Sequence, residues 1–262
     1  MGASELDVSH DLFSGQRDGE VLTLSFREKP LLHVADINAK RSLFTYLDRV
    51  AACDEVKVLI VKEAPTKMKR AEYIAFYRNM IKPDFDQVPL ERMYNALSQF
   101  VLKLMGLSKI IVHADSGDVI LLFMNIGLAC DFRVVAEGTV FQNPNIDLGV
   151  VPKGGSVFFL SRMVGTVAAS RLLFSGRDIG AREARRMGLV DKVVPLEELD
   201  RTVLETARAY ARIPSGYAVG IKKLLNYDID RLAGYLEYEN ALLRRLVRSA
   251  SLQNFGRLPD IC

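Results

Sequence analysis

This sequence predicts an α/β fold built around a parallel sheet, and three observations carry the prediction. Residues 56–61 read VKVLIV, a β-branched run with the apolar continuity of a strand buried on both faces. Residues 20–26 (EVLTLSF) alternate apolar and polar, the pattern of a half-buried strand. Between them, residues 38–52 place Leu43, Phe44, Leu47 and Val50 at helical spacing, with Asp36 or Asn38 as the N-cap. Strand, helix and strand at this spacing make a βαβ unit with a parallel pair. With 262 residues, 49% of them apolar, the chain can bury the core of one domain, with or without a small appendage.

The remaining elements follow in order. Residues 1–19 are polar and aperiodic and read as an N-terminal arm. Residues 69–81 and 90–107 read as helices, divided at Pro83. Residues 109–113 form a third strand, a helix starts at about Val119, and short strands lie near residues 132–135. Residues 155–164 and 167–174 read as two helices. Residues 181–187 form a short helix closed by Gly188, and residues 189–194 a short strand. From residue 196 to about 248 the pattern is almost entirely helical. The organisation expected is an arm (1–19), a β-rich core (20–195) and a C-terminal helical region (196–262).

Charge and cysteine usage exclude several classes. With 35 basic and 32 acidic residues, the net charge of +3 is too balanced to imply nucleic acid. Cys53, Cys130 and Cys262 have neither metal-ligand spacing nor a disulfide framework, which suggests a reducing cytoplasm. The first twenty residues lack an apolar signal core. Gly2 is followed four residues later by Leu6, where myristoylation requires Ser or Thr. The apolar run at residues 119–130 is interrupted by Asn125 and Gly127, and falls short of the roughly 20 residues of a membrane span. No membrane partner is expected.

The chemistry concentrates in residues 108–160. Ser116 and Gly117 form a turn after a strand, and an apolar helix carrying Asn125 follows. Then come the Cys130–Asp131 pair, Phe141, Pro144, Asn145, Gly149, Pro152 and the Gly154–Gly155 pair. A second patterned stretch, residues 169–199, carries Ser175, Gly176, Ile179, Ala181, Glu183, Ala184, Gly188, Leu189, Val190, Val193 and Pro195. Its glycines end helices and its apolar positions pack a small helix on a strand, so it is structural.

Together these motifs resemble the crotonase (enoyl-CoA hydratase/isomerase) family. The resemblance covers about residues 19–245 and is strongest in the two stretches quoted. It implies a crotonase-like (ClpP/crotonase) β-spiral core of ββα units with a C-terminal helical region. It also implies an acyl-CoA thioester ligand, with coenzyme A as part of the substrate and no permanently bound cofactor. Three family glycines are here Leu121, Leu122 and Phe123, and the two positions where hydratases keep acid/base glutamates hold Asn125 and Asn145. An amide can orient water or bind a carbonyl but has no proton to exchange at neutral pH, which argues against ordinary hydration.

In the family, two backbone N–H groups bind the thioester oxygen. By resemblance these are the N–H groups of Leu122, at a helix N-terminus, and of Ala71, in residues 69–73 (KRAEY). Residues 69–73 also read as the solvated start of an amphipathic helix. Asp118, at the mouth of the turn, is the titratable group best placed to act in place of the carboxylates. Lys153, Asp147 and His113 are alternatives that also read as loop charges or, for His113, as a core residue. Lys222 and Lys223 stand where the family's lysine approaches the CoA phosphates. The apolar set Leu232, Tyr235, Leu236, Tyr238, Leu242, Leu243 and Leu246 on a C-terminal helix must be buried against the core or a neighbour. With the resemblance, it implies a homotrimer, or a hexamer of paired trimers. Two functions fit: an acyl-CoA enzyme with non-standard catalytic residues, or a catalytically inactive acyl-CoA-binding or structural homologue.

Overall fold

The computed structural model describes residues 6–27, 37–64, 67–80 and 88–248. Asp36, Pro83 and residues 249–262, with Cys262, lie outside them.

Ten strands are described: β1 (Val8–Ser9), β2 (Phe13–Asp18), β3 (Val21–Phe26), β4 (Val58–Lys62), β5 (Ile110–Asp115), β6 (Asp118–Ile120), β7 (Phe132–Ala136), β8 (Val140–Gln142), β9 (Ile179–Gly180) and β10 (Lys192–Val194). Seven make the main sheet, in the order β1-β2-β3-β4-β5-β7-β10. β1, β2 and β3 pair antiparallel, and from β3 onward every pair is parallel. A second sheet, β6-β8-β9, stands apart, with β6 parallel to β8.

The continuous apolar character of β4 follows from burial on both faces. Leu59 and Val61 belong to the larger core, and Val58 and Ile60 to a second core on the opposite face. Period-2 alternation thus places one apolar set in each layer. Helix Ile37–Ala52 buries Leu43, Tyr46, Leu47 and Val50, and helix Val88–Gly106 also packs into the larger core. The opposite face is covered by helix Leu199–Ala211, which presents Leu199, Val203, Ala207 and Ala211 at four-residue spacing.

The structure departs from the sequence reading in four places. Residues 8–18 are not an arm: β2 pairs along its whole length with β3 and buries Phe13 and Gly15. Its polar residues alternate with inward positions, as the two-residue period of a strand dictates. Helix Ile37–Ala52 takes Asn38 into its first turn rather than capping on it. Val119 lies in β6, and the helix begins only at Leu121. Helix Leu199–Ala211 is a layer of the main sheet rather than part of an appendage.

Helix Ser156–Ser175 is, by length and composition, apolar enough to cross a membrane, with a mean hydropathy of 1.5. A kink divides it at Gly165, whose φ of 78° and ψ of 158° no helix contains. The break falls between the two helices read from the sequence at 155–164 and 167–174.

A largely buried ion pair ties the helix after Leu199–Ala211 to the sheet. In helix Ser215–Leu225, Lys222 Nζ donates to Asp131 Oδ2 at 2.8 Å and to the Lys109 carbonyl at 3.0 Å. The same Asp131 oxygen accepts the Ile111 N–H at 2.7 Å. Removing the cation leaves a mostly buried carboxylate short of charge compensation. Lys222→Met should therefore cost about 3 kcal/mol in urea unfolding, read as a lower midpoint at unchanged slope. Lys223→Met, one residue on and exposed, should stay within about 0.5 kcal/mol of the parent.

Candidate active site

Two asparagines organise the candidate site. Helix Leu121–Leu128 starts directly after β6, and all of its side chains are buried. Leu121, Leu122 and Phe123 are 6%, 3% and 2% exposed, so these large residues fill the core beside the turn. The Leu122 N–H lies in the first helical turn, where no residue four positions earlier supplies a helical acceptor. One turn later, Asn125 is fully buried. Its Nδ2 donates to the Lys153 carbonyl at 2.7 Å and to Ser156 Oγ at 2.6 Å. Its Oδ1 has no partner among the described residues.

Asn145 opens the four-residue helix Asn145–Leu148 and is also buried. Its Oδ1 accepts the Tyr73 hydroxyl at 3.2 Å, and its Nδ2 donates to Asn143 Oδ1 at 3.3 Å. Tyr73 comes from helix Arg70–Met80. Arg70, at the head of that helix, reaches Asp147 at 2.8 Å and Asp178 at 3.0 Å. Asp147 is therefore a docking group for this helix. Ala71 sits in its first turn, exposed.

From Tyr73 a row of buried phenols leads inward. Tyr73 and Tyr77, one turn apart, have ring centroids 4.6 Å apart. Tyr94 follows, from helix Val88–Gly106. Burial, then the neighbouring phenols, push the Tyr77 and Tyr94 hydroxyls well above the usual tyrosine range, and burial does the same for Tyr73. All three keep their protons at neutral pH and are donors.

The row ends on a buried charge pair. Lys153 Nζ lies 5.5 Å from the Tyr94 ring centroid, 2.9 Å from Ser98 Oγ and 3.1 Å from Glu239 Oε1. Lys153 and Glu239 side chains are 1% and 3% exposed. Glu239, from helix Ile229–Arg248, also accepts the N–H groups of Gly154 at 2.8 Å and Gly155 at 3.0 Å. Gly155 holds φ at 85°, the left-handed turn that aims both N–H groups at one carboxylate. Burial lowers the Lys153 pKa and raises that of Glu239, and the two charges oppose both shifts.

The other residues singled out from sequence fall elsewhere. Asp118 is exposed at the start of β6. It acts electrostatically on Lys67, whose pKa burial lowers to about 8 against the pull of Glu63 and Asp118. Lys67 also pairs with buried Asp115 and donates to the Ser116 carbonyl at 2.7 Å. His113 is a buried core residue, 3.4 Å from Glu63 Oε1. Lys222 is engaged by Asp131 and is not free for a phosphate. Lys223 is exposed and lines a surface groove of ≈ 480 Å³ with Lys57 and Lys109. That groove lies at the N-terminal ends of β4 and β5, whereas Leu122 follows the C-terminal end of β5. No group of three His, Cys, Asp or Glu side chains that could hold a metal occurs among the described residues.

Sequence reasoning thus missed Tyr73, Tyr77, Tyr94, Ser98 and Glu239, and left Lys153 between an alternative titratable group of the site and a loop charge. The four-residue spacing of Tyr73 and Tyr77 was a visible signal of a shared helix face. The link from Lys153 to Glu239, 86 residues away, had none.

The model of the family described as enoyl-CoA hydratase/isomerase matches residues 82–257. The chain is 33% identical over 165 residues to a crotonyl-CoA hydratase of Syntrophomonas wolfei, a match spanning 61% of each protein. It therefore spans under two thirds of that relative. It is 25% identical over 239 residues to a trans-2-decenoyl-[acyl-carrier-protein] isomerase of Streptococcus mutans, covering 90% of this chain and 89% of that one. An enoyl-CoA hydratase structure from Bacillus halodurans superposes with a TM-score of 0.79 at 19% identity, over 93% of this chain and 98% of that chain. One from Mycobacterium avium subsp. paratuberculosis gives 0.77 at 18% identity, over 94% and 98%. At such identities these two structures establish the fold, which is that of crotonases.

The buried pair yields a stability prediction. Glu239→Ala strands the Lys153 ammonium and removes the acceptor of two backbone N–H groups. It should cost about 3–5 kcal/mol by urea denaturation, and Lys153→Met combined with Glu239→Leu should recover a large part of that loss.

Proposed function

Since the chain belongs to the enoyl-CoA hydratase/isomerase family, we propose that it is an acyl-CoA enzyme with non-standard catalytic residues. In this reading the thioester oxygen meets the N–H groups of Leu122 and Ala71. Asn125 and Asn145 stand where hydratases carry their acid/base glutamates. The carrying observation is that both amides are buried and belong to one polar row. Asn145 joins it through Tyr73, and Asn125 through the Lys153 carbonyl. Two asparagines that were mere surface replacements would not each be held by a buried partner.

Proton transfer then cannot run through the amides. An amide can still orient water or hold a carbonyl, while protonated phenols and Asp118 remain as acids or bases. The second reading, a catalytically inactive acyl-CoA-binding homologue, draws support from the bulk of Leu121, Leu122 and Phe123 beside the turn. We place the protein in the cytoplasm, acting without nucleic acid or membrane, with coenzyme A entering only as part of the substrate.

We also propose a homotrimer or a hexamer of paired trimers. The support is not the stripe expected on the last helix, because Leu232, Leu236 and Leu243 are buried against this chain's own core. It is the neighbouring helix Ser215–Leu225 and the residues after it. Tyr217, Leu224, Leu225 and Tyr227 are 67%, 72%, 62% and 84% exposed there. Sedimentation should show a species of three or six chains that Leu224→Asp dissociates. A dominant species at the monomer mass of 29.3 kDa overturns the proposal.

Calorimetry with crotonyl-CoA should show binding, while hydration, followed by loss of enoyl absorbance, should run roughly 10²–10⁴ below a two-glutamate enzyme. Asn125→Glu with Asn145→Glu should raise that rate. Absence of binding by folded protein would remove the acyl-CoA reading. Binding with no turnover of any acyl-CoA would favour the inactive homologue.

A further inference from the structure

We propose that the groove at the N-terminal ends of β4 and β5 is a second binding site, one that takes a phosphate ester with an apolar or aromatic body. It stands apart from the acyl-CoA reading, because Ala71 and Leu122 follow the opposite ends of the same two strands.

The groove encloses ≈ 480 Å³, a volume in the range of small-molecule sites. Lys109 lines it and is 7% exposed. Its Nζ has one partner, the Cys53 carbonyl at 2.7 Å, and no carboxylate within ion-pair distance among the described residues. Other lysines buried in this protein each have a carboxylate: Lys67 pairs with Asp115, Lys153 with Glu239 and Lys222 with Asp131. The Cys53 carbonyl follows the end of helix Ile37–Ala52, whose dipole sets about half an elementary charge against a full one. Burial lowers the Lys109 pKa, and exposed Asp54, also on the groove, opposes this only at longer range. An ammonium carries three N–H donors, so two remain for a ligand.

Two more features converge on the same space. Lys223 lines the groove, exposed and without a hydrogen-bond or ion-pair partner among the described residues. Helix Ser215–Leu225 opens onto the groove with Ser215 and Gly216, whose N–H groups precede the first helical acceptor, and Pro214 offers them no capping side chain. A Cβ added at Gly216 or Gly220 would meet nothing within 4 Å, so neither glycine is demanded by this chain's own packing. Bare backbone there leaves room for a ligand to approach.

These donors select the ligand's chemistry. Two ammonium groups and the N–H groups of a helix end suit an anion with several oxygens and more than one charge, which a phosphate ester supplies and a carboxylate does not. Lys57, at the same groove, is already held by Glu20 at 2.7 Å. A phosphate group alone leaves most of the volume unfilled. The remaining wall is apolar, with Val56, Ile110, Ile213 and Val219 beside Tyr210, and it fits a hydrocarbon or aromatic body.

Amide NMR of the isotope-labelled protein tests the proposal, with phenyl phosphate and inorganic phosphate as probes. Phenyl phosphate should shift the Ser215, Gly216 and Gly220 amides and saturate with a Kd of about 1 mM or below. Inorganic phosphate should bind roughly tenfold more weakly, for want of the apolar body. Lys109→Met and Lys223→Met should each weaken phenyl phosphate about tenfold. Lys223 faces solvent, so its variant should keep the fold and decides alone where Lys109→Met does not fold. No saturable shift at these amides in folded parent overturns the proposal, and so does unchanged affinity in Lys223→Met. Equal affinity for the two phosphates overturns the apolar body. Crotonyl-CoA should move the Leu122 amide and leave the groove amides in place. Movement of the groove amides by crotonyl-CoA would make the groove part of the acyl-CoA site and overturn a second one. Crotonyl-CoA that moves neither set counts against the acyl-CoA reading alone.

Discussion

The Glu239 carboxylate is the contact on which the site's architecture rests. It accepts two successive backbone N–H groups and a lysine ammonium, so it fixes the turn at residues 153–155 in position and in charge. That turn presents the Lys153 carbonyl to Asn125, and Ser156, the first residue of the following helix, completes the amide's two donor bonds. One carboxylate from a late helix thereby sets the orientation of a side chain in the middle of the chain. The arrangement works because the pair is almost fully screened from water, where each charge is worth more to the other and each missing partner costs more.

The polar interior is unusual in kind. Its charged members, Lys153 and Glu239, compensate each other, and the rest are amides, two serine hydroxyls and phenols. Such a lining can hold, orient and donate, but at neutral pH it does not readily take up protons. The cluster of titratable groups near the ends of β4 and β5 is different. There Lys67, Asp115, Glu63 and His113 lie together, with Asp118 exposed beside them. The protein keeps its neutral donors and its titratable groups in adjacent but distinct places, one within the helical layer and one at the strand ends.

Much of the fold was legible because it depends on local rules. The β-branched, largely apolar run at residues 56–61 correctly implied a strand buried on both faces, and Gly165 separated two helices as the sequence suggested. The reading failed where short polar strands met long-range partners. Residues 8–18 carry too few apolar positions to announce strands, and only pairing, of β1 with β2 and of β2 with β3, makes them so. Val119 reads as helical by its neighbours, but its pairing with Phe141 places it in a strand.

By itself, the sequence determined the α/β class, the turn-and-helix frame around Asn125 and Asn145, and the absence of carboxylates at those two positions. These are matters of residue type and spacing, which the chain carries locally. Tertiary structure alone decided which charges are available. It buried Lys153 against Glu239, bound Lys222 to Asp131, and left Lys223 facing solvent. It also lined up Tyr73, Tyr77 and Tyr94 from two helices between Asn145 and Lys153. The partners of a buried charge or hydroxyl are chosen by packing between distant segments, and no spacing rule along the chain encodes that choice.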